Sequence, residues 1–144
     1  MLAAALLLVA WFAPAARAGS TLLGNTGKGP RGIAIDASGN VFTANFGDDT
    51  ITKITPAGAS TKLASTGSAP WGIAVDGTGN VFVTNFLDDA VQKFGPSGSP
   101  STTFAGTGKS PADVAVSGSG DAYTANSAGS SISRITSADS SSNL

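Results

Sequence analysis

Apolar residues in this chain fall into short runs separated by small polar residues, and the run from Pro30 to Gly67 predicts four β-strands. Gly32-Ile33-Ala34-Ile35-Asp36 is apolar at strand length, and Asp36-Ala37-Ser38-Gly39-Asn40 after it is turn chemistry, since Gly and Asn tolerate positive φ. Val41-Phe42-Thr43-Ala44-Asn45 is rich in strand formers. Phe46 to Asp49 connects it to Thr50-Ile51-Thr52-Lys53-Ile54, which begins to alternate. After the turn Pro56-Ala57-Gly58 comes a more polar strand from Ser60 to Ala64, and Thr66-Gly67 closes the unit. The first two strands are apolar on both faces, whereas the last two carry Lys53 and Lys62. Strands covered on both faces lose the alternation of a one-sided sheet, so the first two lie inside and the last two lie toward water.

The unit returns. Pro30, Pro70 and Pro111 mark its starts, at steps of 40 and 41 residues. Gly79-Asn80-Val81-Phe82 answers Gly39-Asn40-Val41-Phe42, and Asp88-Asp89 answers Asp48-Asp49. The third copy keeps Gly120-Asp121, Asn126, Ile132 and Arg134-Ile135 but has Gly129-Ser130 in place of the acidic pair. A fixed period of this length marks stacked repeats. Four short strands per period predict an all-β fold of β-propeller blades, each a four-stranded antiparallel sheet. The expected units are 28–67, 68–108 and an incomplete 109–144, preceded by 21–27. That segment aligns with Thr61 to Gly67 and is expected to be an orphan outer strand of a closing blade.

The elements Pro-x-Gly-Ile-Ala-(Ile/Val)-Asp, Gly-Asn-Val-Phe and Ile-x-Lys-(Ile/Phe) resemble the NHL repeat of six-bladed propellers. Gly-Ile-Ala-Val, with Lys53-Ile54-Thr55-Pro56-Ala57-Gly58, is also similar to repeats of virginiamycin B lyase-like propellers. The resemblance covers about 28–137 and implies three of six blades, half a ring. A three-blade piece leaves two apolar faces uncovered. Two arrangements answer this: the chain is part of a longer propeller, or two chains pair as a homodimer that completes a six-bladed ring, each donating Leu22-Leu23 to the other's third blade. The lyase relatives imply a metal-assisted site that relies on His, and amidating-lyase and gluconolactonase relatives imply a metal held by His or by Glu, Asn and Asp. Neither His nor Glu occurs here, so those constellations do not carry over.

Composition narrows the function further. The net charge of −1 provides no field for nucleic acid or anionic lipid. With no Cys, the chain makes no disulfide or thiolate site. Without His it lacks the commonest acid–base catalyst, and no catalytic residue is assigned. Residues 1–18 combine an apolar run, Leu2 to Ala13, with Ala16-Arg17-Ala18, and are expected to be a signal peptide. That predicts a secreted, periplasmic or cell-surface protein with no membrane association beyond export.

Alternating strand directions gather the lead-in to each first strand and the loop after each second strand on one face. The candidate ligand-binding residues there are Arg31, Trp71, Phe46, Asp48, Asp49, Phe86, Asp88, Asp89 and Asp113, near Lys28 and Ser127. Arg31 and Trp71 differ at an equivalent position within a constant frame, which marks them as binding candidates. The acidic pairs read first as turn formers whose carboxylates accept local backbone N–H groups. Asn45, Asn85 and Asn126 read as caps of the turns that follow them. No cofactor is expected. A divalent cation such as Ca²⁺ is the one that Asp oxygens could take, but the Asp-x-Asp-x-Asp-Gly loop is absent and no metal site is assigned. The expected function is a scaffold that binds a protein or a small polar ligand through this face. The alternatives are a fragment of a streptogramin lyase-like enzyme and the extracellular sensor portion of a membrane receptor.

Overall fold

The computed structural model describes residues 19–136 and 141–143, apart from the side chains of 100–103 and 141–143. The expected signal segment lies outside the described residues. Blade 1 comprises β1 (Pro30–Ile35), β2 (Val41–Asn45), β3 (Thr50–Ile54) and β4 (Ser60–Ser65). Blade 2 comprises β5 (Pro70–Val75), β6 (Val81–Asn85), β7 (Ala90–Phe94) and β8 (Pro100–Gly106). Blade 3 comprises β9 (Pro111–Val116), β10 (Ala122–Asn126), β11 (Ser131–Ile135) and β12 (Ser141–Asn143). Each blade is a simple antiparallel meander in chain order. The strands match the sequence expectation to within about two residues, because the turn residues that punctuate them do what their chemistry dictates.

The first turn of each blade shows this directly. Asp36 Oδ1 accepts the backbone N–H of Ser38 and of Asn40, while its Oδ2 accepts Asn40 Nδ2 at 2.7 Å. Asp76 repeats the arrangement with Thr78 and Asn80. In blade 3 a hydroxyl stands in, with Asp121 N donating to Ser117 Oγ. All three turns pass through a glycine at positive φ, Gly39 (79°), Gly79 (85°) and Gly120 (86°), where a side chain would be strained.

The fourth strand of blade 3, expected to be unfinished, is present as a three-residue strand. Ser141 pairs with Ile135 and Asn143 with Ser133. Ser131 and Ile132 have no partner on that side among the described residues. In blade 1 the corresponding Thr50 and Ile51 pair with Ser65 and Ala64. The segment 21–27 forms no strand. It lies over blade 1 as the end of β4 lies over blade 2, with the Leu23 carbonyl against Gly58 as the Leu63 carbonyl is against Gly98.

The core lies between blades. Phe42, Ala44 and Ile51 of blade 1 pack on Ile73, Val81, Val83 and Phe94 of blade 2. Phe82 and Val91, on the opposite face of blade 2, pack on Val114, Ala122 and Ile135 of blade 3. Blade 2 is thus covered on both faces. The inner strands meet closely because Gly32 and Gly72 lack side chains: a β-carbon on Gly32 would strike the Trp71 carbonyl, and one on Gly72 would strike the Asp113 backbone.

Phe82 is fully buried at the joint of blades 2 and 3 and has Phe104 at 5.5 Å, edge to face. Phe82→Ala is expected to cost about 3–5 kcal/mol, read as a lowered denaturation midpoint in urea.

Candidate functional site

The loops gathered on one face hold an aromatic platform built across the first joint. Trp71, leading into blade 2, stands 5.7 Å from Phe46 of blade 1 at 86° between ring planes. Its other neighbour is Phe86, at 4.8 Å and 30°. Arg31 lies on the cluster, its Cζ 4.5 Å from the Trp71 ring centroid and 5.0 Å from that of Phe46. Four of the sequence-selected residues therefore come together, drawn from the first-strand lead-ins and from the loops after β2 and β6.

Among the described residues the Arg31 guanidinium makes ring contacts but no hydrogen bond or ion pair. Its place over two aromatic rings restrains the cation and leaves its N–H groups open among the described residues. Beside it, Arg31, Gly32, Trp71, Gly72, Ala112 and Asp113 line an open cavity of about 250 Å³. Asp113 is exposed, and one carboxylate oxygen accepts its neighbour's N–H, from Val114 at 2.9 Å. The second oxygen of Asp113 is in no hydrogen bond among the described residues. An aromatic wall, a fixed cation and a carboxylate thus face one opening.

The acidic pairs are placed differently from the local turn bonds that were expected. Asp48 accepts Lys28 N at 3.0 Å and the Thr50 hydroxyl at 2.7 Å, while Asp88 accepts Ser68 N at 2.7 Å. The bonds from Lys28 N and Ser68 N tie the loop after the second strand to the lead-in of the same blade, while the Thr50 hydroxyl bond is local. The second Asp of each pair reaches forward to the next blade: Asp49 accepts Ala69 N at 2.9 Å and Asp89 accepts Ser110 N at 2.8 Å. Asp89 also pairs with Lys109 at 2.7 Å. The four carboxylates therefore act as inter-strand and inter-blade ties, set apart from the Arg31 cavity. Ala69 and Ser110 hold φ of 56° and 54°, unfavourable for residues with a β-carbon, and the carboxylate bond helps fix them there.

The recurring asparagines are not side-chain caps. Asn45 is fully buried, and its Nδ2 donates to the hydroxyls of Thr50 and Thr52 while its Oδ1 accepts from Thr43. Thr52 in turn accepts Gly27 N. In blade 3, Asn126 uses Thr124, Ser131 and Ser133 in the same way, and Ser133 accepts Gly108 N. In blade 2, Gln92 serves Asn85 and Gly67, but Val83 replaces the threonine, so Asn85 Oδ1 is buried without a hydrogen-bond partner. Sequence spacing showed the repeat of Asn. The alternation of hydroxyls two residues before it and five and seven after it is the signal that locates its partners. Asn45→Ala would leave buried hydroxyls unpaired and is expected to destabilise by about 1–3 kcal/mol, whereas Val83→Thr, which supplies the missing donor, should be neutral or stabilising by about 1 kcal/mol, both read by urea denaturation.

Hydrogen bonding sets the acid behaviour of the ties. The Thr50 hydroxyl and Lys28 N–H hold Asp48 below the usual carboxylate range, and Asn40 does the same for Asp36. Burial raises Asp76, but its bonds to Asn80 and Thr78 outweigh this and its pKa is lowered. Lys109 and the Ser110 N–H lower Asp89. A depressed folded-state pKa gives stability that is complete above the unfolded value, about 3.9, and is lost as pH falls through the folded value. Thermal stability should therefore be level from neutral pH to about 4 and fall below it.

No protein-family model and no curated protein matches the chain by sequence. Solved structures do match by fold. A catalytically inactive His-to-Ala variant of virginiamycin B lyase from Staphylococcus aureus, with quinupristin, superposes at TM-score 0.71 and 19% identity, over 83% of this chain and 42% of that one. A chain of a nidogen/laminin complex superposes at 0.72 and 18% identity, over 81% and 47%. The hydrazine synthase of Kuenenia stuttgartiensis superposes at 0.71 and 21% identity, over 76% and 33%. The chain spans less than half the length of each of them. Its three four-stranded sheets are consecutive blades of a β-propeller, structurally similar to those of virginiamycin B lyase and nidogen.

Proposed function

We propose that this chain is a binding scaffold, exported by its N-terminal segment, that holds a carboxylate-bearing polar ligand or peptide segment at the Arg31 cavity. The carrying observation is the guanidinium over Trp71 and Phe46 with its N–H groups uncommitted among the described residues. Such groups match the two oxygens of a carboxylate. Trp71 and Phe86 supply apolar area beside it at little entropic cost. Asp113 across the opening favours a ligand that also carries a donor or a cation. A C-terminal residue with its carboxylate and backbone N–H, or an acidic side chain followed by a basic one, has this chemistry.

The fold also occurs in enzymes, and a lyase-like activity is the second reading. One observation weighs against it for these blades alone. The lyase structure matched above is inactive with one His changed to Ala, and this chain contains no His. A lyase site would need groups from further blades.

The test is a peptide array spanning acidic and C-terminal carboxylate sequences, with hits measured by calorimetry. Trp71→Ala and Arg31→Ala are each expected to weaken a hit by about tenfold or more, while the circular dichroism spectrum is unchanged. Binding that survives both substitutions would place the site elsewhere, and loss of folded signal in Trp71→Ala would make the platform structural.

A further inference from the structure

The two outer faces of the three-blade stack differ from its two internal joints in what covers them. Ile33 and Ile35 on β1 are 68% and 65% exposed, while Ile73, at the place of Ile33 one blade later, is 5% exposed. Ile73 is covered by Phe42, Ala44 and Ile51. The same three positions in blade 3 are Tyr123, Ala125 and Ile132, and they line an open groove with Ile132 51% exposed. One end of the stack thus presents the surface that the other end is shaped to cover.

We propose that a second copy of this chain covers both faces, blade 3 of each copy packing on blade 1 of the other to close a ring of six blades. The backbone at the two ends repeats the backbone of the internal joints. Asp49 and Asp89 each have φ of 52°, and Ser130 has 47°. Ala69 and Ser110 have φ of 56° and 54°, and Gly29 has 59°. Within blades 1 and 2, where the outer strand ends, Thr66 N donates to the Asp49 carbonyl at 2.9 Å and Thr107 N to the Asp89 carbonyl at 2.8 Å. Thr26 stands where Thr66 and Thr107 stand, because Gly27 after it donates to Thr52 as Gly67 does to Gln92 and Gly108 to Ser133. Across the closing joint, Thr26 N of the second copy meets the Ser130 carbonyl.

The outer strand points the same way. β12 pairs with Ser133 to Ile135, and the half of β11 at Ser131 and Ile132 is open among the described residues. Gly24 and Asn25 correspond to Ala64 and Ser65, which pair with that half of the strand in blade 1. The segment 24–27 of the second copy therefore extends the strand that β12 begins. This modifies the expected exchange: Leu22-Leu23 need not replace a strand, since β12 already holds the other half.

One position differs. Gly32 and Gly72 admit the neighbouring inner strand, and Asp113 takes their place in blade 3. The group that Asp113 faces across the closing joint is the Arg31–Ile33 backbone of the second copy, by analogy with Trp71–Ile73 at Gly32. A carboxylate there can accept the Ile33 N–H and face the Arg31 cation, but it keeps the strands further apart than glycine does. The closing joint is accordingly weaker than the internal ones and separates on dilution. Two copies of these three blades give six, within the four to eight that close. Asp113 lines both the Arg31 cavity and this joint, whereas Ile33 and Ile132 line the joint but not the cavity, so their substitutions test the joint alone.

Sedimentation equilibrium of the full chain over a wide concentration range tests the proposal. The expected result is a limiting mass twice that of the 14.0 kDa chain as sampled. Ile33→Asp and Ile132→Asp, each made at an exposed site, should raise the dimer dissociation constant by about 100-fold or more with unchanged circular dichroism. Asp113→Gly should lower it. A monomer at every concentration, a species of three or more chains, or a dimer indifferent to both isoleucine substitutions would overturn the proposal.

Discussion

A four-stranded sheet with apolar side chains on both faces is unstable in water by itself, and its only remedy is another sheet on each side. That constraint governs every level of this chain. It selects apolar residues in consecutive positions of the inner strands, so Phe42 and Val83 are buried against a neighbouring blade and not within their own. It makes the joint, and not the blade, the unit of stability. Phe42, Ile51 and Ile73 act only because two repeats come together, and the residues that bring them together are glycines and aspartates on the inner strands and loops.

The joints are built from three kinds of contact. Gly32 and Gly72 allow the inner strands to approach. The apolar clusters fill the middle of each joint. At the loop face, Asp49 and Asp89 clip the next blade at a residue held in a left-handed conformation. The Arg31 platform belongs to this last layer. It arises where Arg31, Trp71 and Phe46 meet across a joint, so the candidate site exists only because two blades are correctly stacked.

The fold was legible in the sequence because each strand is bounded by turn residues with a fixed geometry, and because the forty-residue spacing repeats them. The meeting of Trp71 with Arg31, Phe46 and Phe86 was legible as a shared face. The roles of the acidic pairs were not. A carboxylate in a turn reads as satisfied nearby, and only the stacking of blades brings Ala69 N, twenty residues on, within reach of Asp49. The asparagines misled for a similar reason. Their partners lie across the sheet on β3, β7 and β11, where Thr50, Gln92 and Ser133 look like ordinary solvent-facing strand residues. The fourth strand of blade 3 was expected to stop short, and the three residues of β12 pair only with Ser133 to Ile135 of β11. Pairing with β11 needs only backbone groups.

Native-state hydrogen exchange on the chain at high dilution, read strand by strand, tests most directly whether the joints hold the fold. Blade 2 has both faces covered by its neighbours, and every residue of its inner strand β6 is buried, so the amides from Val81 to Asn85 should exchange most slowly, with β2 and β10 faster and β1 and β9 behind them. Equal protection in all three blades, or slowest exchange in β1 or β10, would contradict an account in which blades are stabilised by their neighbours.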